Sequence, residues 1–157
     1  MIPELGHFSL ILALALAGLL ATIPLFGVHL QRDVWMRSAG SLAAGLFTFL
    51  LLSFVCLSWS FLTDDFSVSY VAQNSNSQLP TQYKLSAVWG AHEGSFLLWT
   101  LIMGGWTLAV AVFSRALPLD ILARVLAVMG ALCVGFILFI LATSNPFLRI
   151  LPLPALE

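Results

Sequence analysis

Four apolar blocks, at about residues 8–28, 40–62, 95–113 and 121–143, leave this chain little choice of fold. A bilayer's hydrocarbon core is about 30 Å thick, and a helix rising about 1.5 Å per residue crosses it in roughly 20 residues. Each block is about that long. Arg124, near the start of the last block, is the one charge inside any of them. A Lys, Arg or Asp at mid-helix costs roughly 2.5–3.5 kcal/mol on insertion scales, so this emptiness is what four genuine spans show. Composition agrees, because 61% of the 157 residues are hydrophobic and 8% are charged, against roughly a quarter charged in a soluble domain.

The fold class expected is therefore all-α, a polytopic membrane bundle of four transmembrane helices. Residues 1–157 read as one transmembrane module with no separate soluble domain. The start, MIPELGHFS, has no Lys or Arg, carries Glu4, and leads into a run too long for a signal-peptide core, so the first block reads as a retained helix.

Basic residues set the expected orientation. HLQRDVWMRSAG holds Arg32 and Arg37 and SRALPLDILAR holds Arg115 and Arg124, which places those two short connections on the cytoplasmic side. The N-terminus, the loop 63–94 and residues 144–157, carrying Lys84 and Arg149, then face outward. A net charge of −1 with no basic patch argues against nucleic acid. Cys56 and Cys133 fall inside spans, where a thiol acts as a small apolar residue, with a redox pair as the alternative.

Small residues mark the expected helix contacts. Ala13, Ala17 and Ala21 repeat every four residues beside Gly18, Gly104 and Gly105 lie mid-span, and Gly130, Ala131 and Gly135 share a flank. Trp35 and Trp59 fit the interfacial belts, and Pro24 permits a kink near the inner end of the first helix. In the outer loop FSVSYVA alternates like a strand and QNSNSQLP is rich in turn formers. The loop has too little apolar material for its own core, so it is expected to pack on other outer segments. Asn145-Pro146 stops the last helix, and LRILPLPALE reads as the start of a further outer loop of a longer chain.

No metal-ligand spacing, phosphate loop or nucleophile elbow occurs. His7 and His29 lie at opposite ends of the first helix and cannot share a ligand. WGAHEG, residues 89–94, is different, because it sets Trp89, His92 and Glu93 side by side. Were residues 89–100 helical, Trp89, Glu93, Phe96 and Thr100 would form one stripe and His92, Ser95, Trp99 and Met103 the next, with Gly90 and Gly94 admitting a neighbouring helix. Two readings follow. Glu93 complements the helix dipole while His92 rests among headgroups, or the pair lines an outward cavity that positions a charged ligand or carries protons. A transporter subunit would need more ionisable residues in its spans than this chain has. A purely structural assembly subunit without cofactor contact stays open.

Several stretches together carry a resemblance. DDFSVSYVAQNSNSQLPTQYKLSAVWGAHEGSFLLW, PLDILARVLAVMG and FILATSNPF resemble the N-terminal part of the cytochrome c haem lyase family, the CcmF-type cytochrome c biogenesis proteins and their NrfE-type nitrite reductase paralogues. The resemblance implies a longer multi-pass protein of the bacterial inner membrane that takes haem from a haem chaperone and promotes its covalent attachment to apocytochrome c, alongside thiol-reducing partners. It implies that the axial haem ligands lie outside this chain, that no catalytic residue or metal ligand is assigned within it, and that the fragment alone is not catalytic. Trp89, His92, Glu93 and Trp99 match the family's motif and are expected to line a cofactor pocket as scaffold and outer-face surface, in contact with the rest of the haem lyase and with membrane lipid.

Overall fold

A computed structural model describes residues 1–150, and the last part of the expected outer loop, 151–157, lies outside the described residues. Six helices follow in order: α1 Ile2–Leu30, α2 Asp33–Leu62, α3 Ser69–Asn74, α4 Thr81–Ala87, α5 His92–Phe113 and α6 Leu119–Thr143. Four of them, α1, α2, α5 and α6, are long and apolar enough to cross a membrane. The four-span, all-helical reading holds, and the chain is a multi-pass membrane protein.

The long helices run up and down in sequence, so both ends of the bundle are defined by its connections. One end carries residues 63–91 together with the start of α1 and the segment after α6; it is called the capped end here. The other carries the α1–α2 and α5–α6 turns with Arg32, Arg37, Arg115 and Arg124, and is called the arginine end.

Helix α1 packs on α2 and α6, α5 packs on the same two, and α2 meets α6 across the bundle. Small residues bring these contacts close, as they must where no water drives helices together. On α1, Leu10, Ala13, Ala17 and Leu20 are fully buried, while Gly18 faces open space. A Cβ at Gly104 would come within 2.8 Å of Leu50, and one at Gly130 within 2.9 Å of Leu20, so α5 lies tight on α2 and α6 on α1. Gly135, on the flank assigned with Gly130, meets nothing within 4 Å, because the five-residue step turns it well away from α1.

Two local readings change. Helix α2 begins at Asp33 rather than near residue 40, because charged residues are tolerated at headgroup depth and Met36 and Ala39 still bury inward. FSVSYVA is not a strand. Val68 alone pairs, in an antiparallel bridge with Arg149, after which Ser69–Asn74 turns helical and buries the adjacent Tyr70 and Val71, which a strand would send to opposite faces. Helix α1 continues through Pro24 to Leu30. Cys56 and Cys133 are free and buried, as small core residues are.

Candidate functional site: the capped end

The loop over residues 63–91 packs onto the bundle rather than standing free. Val68, Tyr70, Val71, Val88 and Phe147 join the same apolar core as Phe61 and Leu57. The apolar material that the loop lacks is supplied by the helix ends below it.

Tyr70 is the pin. Its ring meets Phe61 edge-on at 5.3 Å between centroids, and its hydroxyl donates to the Val88 carbonyl at 2.8 Å. Burial pushes the phenol above its usual range, with the charge of nearby Glu93 acting the same way, so Tyr70 stays a neutral donor. Gly94 makes room for this contact, since a Cβ there would overlap the Val88 carbonyl oxygen and stand 2.6 Å from the Tyr70 hydroxyl. The GxxxG of residues 90–94 thus admits the chain's own turn at Gly94 rather than a neighbouring helix.

A partly buried ion pair holds the other flank. Lys84, only 8% exposed, places Nζ 2.7 Å from Asp64 Oδ2, and Asp64 takes a left-handed φ of 53° to present its carboxylate. Burying an ammonium is tolerable here because a carboxylate faces it.

The segment after α6 closes the cap. Ser144 Oγ lies 3.1 Å from His92 Nδ1, and Asn145 Nδ2 lies 3.2 Å from His7 Nδ1. Asn145 Oδ1 already accepts the Phe147 N–H at 2.9 Å, so its amide donates to His7 and that ring carries its proton on Nε2. The Phe147 ring rests against Gly6. Arg149 grips Glu4 through two nitrogens, Nη2 to Oε2 at 2.9 Å, and also meets Ser67. Glu4 holds the guanidinium's proton still more firmly, which raises the Arg149 pKa.

WGAHEG splits across this arrangement. Trp89 sits in the turn before α5 and is 44% exposed. Helix α5 begins only at His92, so Trp89 drops out of its stripe, while His92, Ser95 and Trp99 keep theirs on one face. Glu93 is half-buried on the Tyr70 side. His92 and Trp99 instead line a hollow of about 350 Å³ with Ser95, Phe96 and Phe136. A second hollow, about 410 Å³, continues along Phe96, Phe136 and Phe139 over Ala131 and Gly135. His92 meets Phe96 edge-on at 4.6 Å between centroids, and Phe96 lies tilted against Phe139 at 5.0 Å.

The two hollows share Phe96 and Phe136, so they form one aromatic groove between α5 and α6, open along the side of the bundle and ending at His92. Its α6 half escaped the sequence reading, because Phe136 and Phe139 face Phe96 only once α5 and α6 are paired. Chemically the groove offers flat apolar surface, one imidazole whose Nδ1 is engaged by Ser144, and Ser95 at the rim. Among the described residues no three His, Cys, Asp or Glu side chains converge as a metal site.

Comparison with known proteins points one way. Residues 89–155 match the family described as cytochrome C assembly protein. The chain is 62% identical over 152 residues to the cytochrome c-type biogenesis protein CcmF of Pseudomonas aeruginosa, covering 97% of this chain and 23% of that protein. It is 55% identical to CcmF of Escherichia coli over 97% of this chain and 24% of that protein. Against the biogenesis protein NrfE of Haemophilus influenzae the identity is 44%, over 99% of this chain and 24% of that protein. A solved structure of the cytochrome c haem lyase CcmF matches with a TM-score of 0.88 at 31% identity, over 94% of this chain and 25% of that one. The chain therefore spans about a quarter of the length of the relatives it matches.

Proposed function

We infer that this chain, related over nearly all its length to the CcmF-type cytochrome c biogenesis proteins, is a transmembrane module of a cytochrome c haem lyase. In the complete protein it serves as scaffold and as an outer-face surface for covalent attachment of haem to apocytochrome c. One observation carries this reading. Two of the stretches that bore the resemblance, the one running from Asp64 to Trp99 and FILATSNPF, meet at the capped end through the Tyr70–Val88 and His92–Ser144 contacts, where His92 and Ser95 line the head of the aromatic groove.

Attaching haem is chiefly a positioning task, in which a planar apolar macrocycle is held still while two thiols reach its vinyl groups and bulk water is kept away. Phe96, Trp99, Phe136 and Phe139 suit the flat apolar part of such a substrate. His92, oriented by Ser144, is a polar marker at one end, and Trp89 and Glu93 support it from the turn and the Tyr70 side. The axial ligands of the haem belong to the remainder of the protein.

The capped end faces outward, with the four arginines on the cytoplasmic side of a bacterial inner membrane. The haem chaperone, apocytochrome c and thiol-reducing partners approach from the capped side. The test is a haem absorption spectrum of the chain purified alone and together with the rest of the protein. Haem retained only by the complete protein supports the assignment; stoichiometric bis-histidine haem on the isolated chain overturns it.

A further inference from the structure

The chain's six Lys and Arg residues divide sharply by end. At the capped end Lys84 pairs with Asp64, and Arg149 with Glu4. At the arginine end none of Arg32, Arg37, Arg115 and Arg124 has a carboxylate within 4.0 Å among the described residues, although Asp33 and Asp120 lie in the first turns of α2 and α6 there. Charge at that end is left for something outside the bundle to meet.

Two of the four arginines share a cleft. Arg37 and Arg115 line a cavity of about 590 Å³ between α2, α5 and α6, with Ser41 beside them and Leu122 and Leu126 along its α6 wall. Helix α6 starts at Leu119 at this end, so Leu122 and Leu126 lie one and two turns deeper into the bundle than the loop that carries Arg115. The cleft is thus ordered as an amphiphile is, with cations at the rim and leucines below. Guanidinium groups bind phosphate oxygens in a fork that matches their geometry, and each basic group near a membrane surface attracts anionic lipid.

We propose that the Arg37–Arg115 cleft seats the phosphate headgroup of an anionic phospholipid, with an acyl chain lying along Leu122 above the buried Leu126. Both guanidiniums contact the phosphodiester and Ser41 donates a hydrogen bond at its edge. The bound lipid wedges α2 against the α5–α6 turn and fixes the arginine end at the membrane surface.

The experiment uses the complete protein in nanodiscs of phosphatidylcholine, with or without phosphatidylglycerol, and compares it with the double variant Arg37→Gln/Arg115→Gln. Arg32→Gln/Arg124→Gln, equally charged but outside the cleft, is the control pair. Native mass spectrometry after gentle extraction is expected to show phosphatidylglycerol retained by the parent and by the control pair, and reduced by roughly tenfold in the cleft variant. Arg37→Lys/Arg115→Lys should recover part of the retention, which separates charge from misfolding. Thermal stability of the parent should rise with phosphatidylglycerol and not with millimolar inorganic phosphate. Equal retention in the cleft variant and the parent, equal loss in the control pair, or the same protection by inorganic phosphate would each overturn the proposal. So would failure of the parent to retain the lipid, the result expected if another part of the protein fills the cleft.

Discussion

The Tyr70 hydroxyl and the Val88 carbonyl, 18 positions apart in sequence, are joined by a 2.8 Å hydrogen bond that ties the short helix α3 to the threshold of α5. Around this bond the loop over residues 63–91 becomes part of the bundle core, and α5 is started at His92 rather than three residues earlier. Tyr70→Phe leaves the Val88 carbonyl short of a buried partner. A loss of about 1–2 kcal/mol is expected, read as a lower unfolding midpoint in detergent and faster proteolysis within residues 63–91.

Gly94→Ala should be worse than Tyr70→Phe. Its new methyl overlaps the Val88 carbonyl itself, and backbone cannot swing aside as a side-chain tip does. The complete protein carrying it should accumulate poorly in the membrane, measured by immunoblot of membrane fractions. Normal accumulation would show that the Val88 turn moves freely.

The Tyr70 phenol also gives the cap a pH dependence. Because burial raises its pKa in the fold, the stability it contributes is complete below the ordinary tyrosine range, near pH 10, and is lost as pH rises through the folded value. A titration at 295 nm should show one of the two tyrosines ionising late, together with opening of the loop to protease.

The two ion pairs of the capped end should behave differently. Lys84 is nearly buried against Asp64, so Lys84→Met alone strands a partly shielded carboxylate and should cost about 1–3 kcal/mol, with Asp64→Asn added in the double variant restoring part of it. Glu4 is largely exposed. Glu4→Gln should change stability by less than about 1 kcal/mol, an effect that fades further in salt. Chemical denaturation of the four proteins separates the two cases.

What could be read from the sequence depended on how local the signal was. The four spans were legible because length and the absence of charge are properties of each block alone. The strand reading of FSVSYVA failed because alternation over seven residues cannot show that Tyr70 and Val71 are both buried once Phe61 and the α5 threshold surround them. His92, in WGAHEG, and Trp99, two turns further along the same stripe, both line the groove. Trp89 and Glu93 do not, since the helix starts after Trp89 and Glu93 turns toward Tyr70. Phe136 and Phe139 could not be read at all without knowing which face of α6 meets α5. Arg149 shows the same limit: its sequence position says only that it lies among the outer segments, yet Glu4, 145 positions away, pairs with it.

The aromatic groove headed by His92 is proposed as a haem-handling surface of a larger lyase. The most direct measurement is cytochrome c maturation, scored by covalent haem staining, in cells whose complete protein carries Trp99→Ala together with Phe136→Ala. Trp99 is 65% exposed and neither residue belongs to the buried core, so the doubly substituted protein should accumulate normally. Matured cytochrome is expected to fall by at least roughly tenfold. Maturation unchanged at normal protein level would contradict it and leave the groove as ordinary membrane-facing surface.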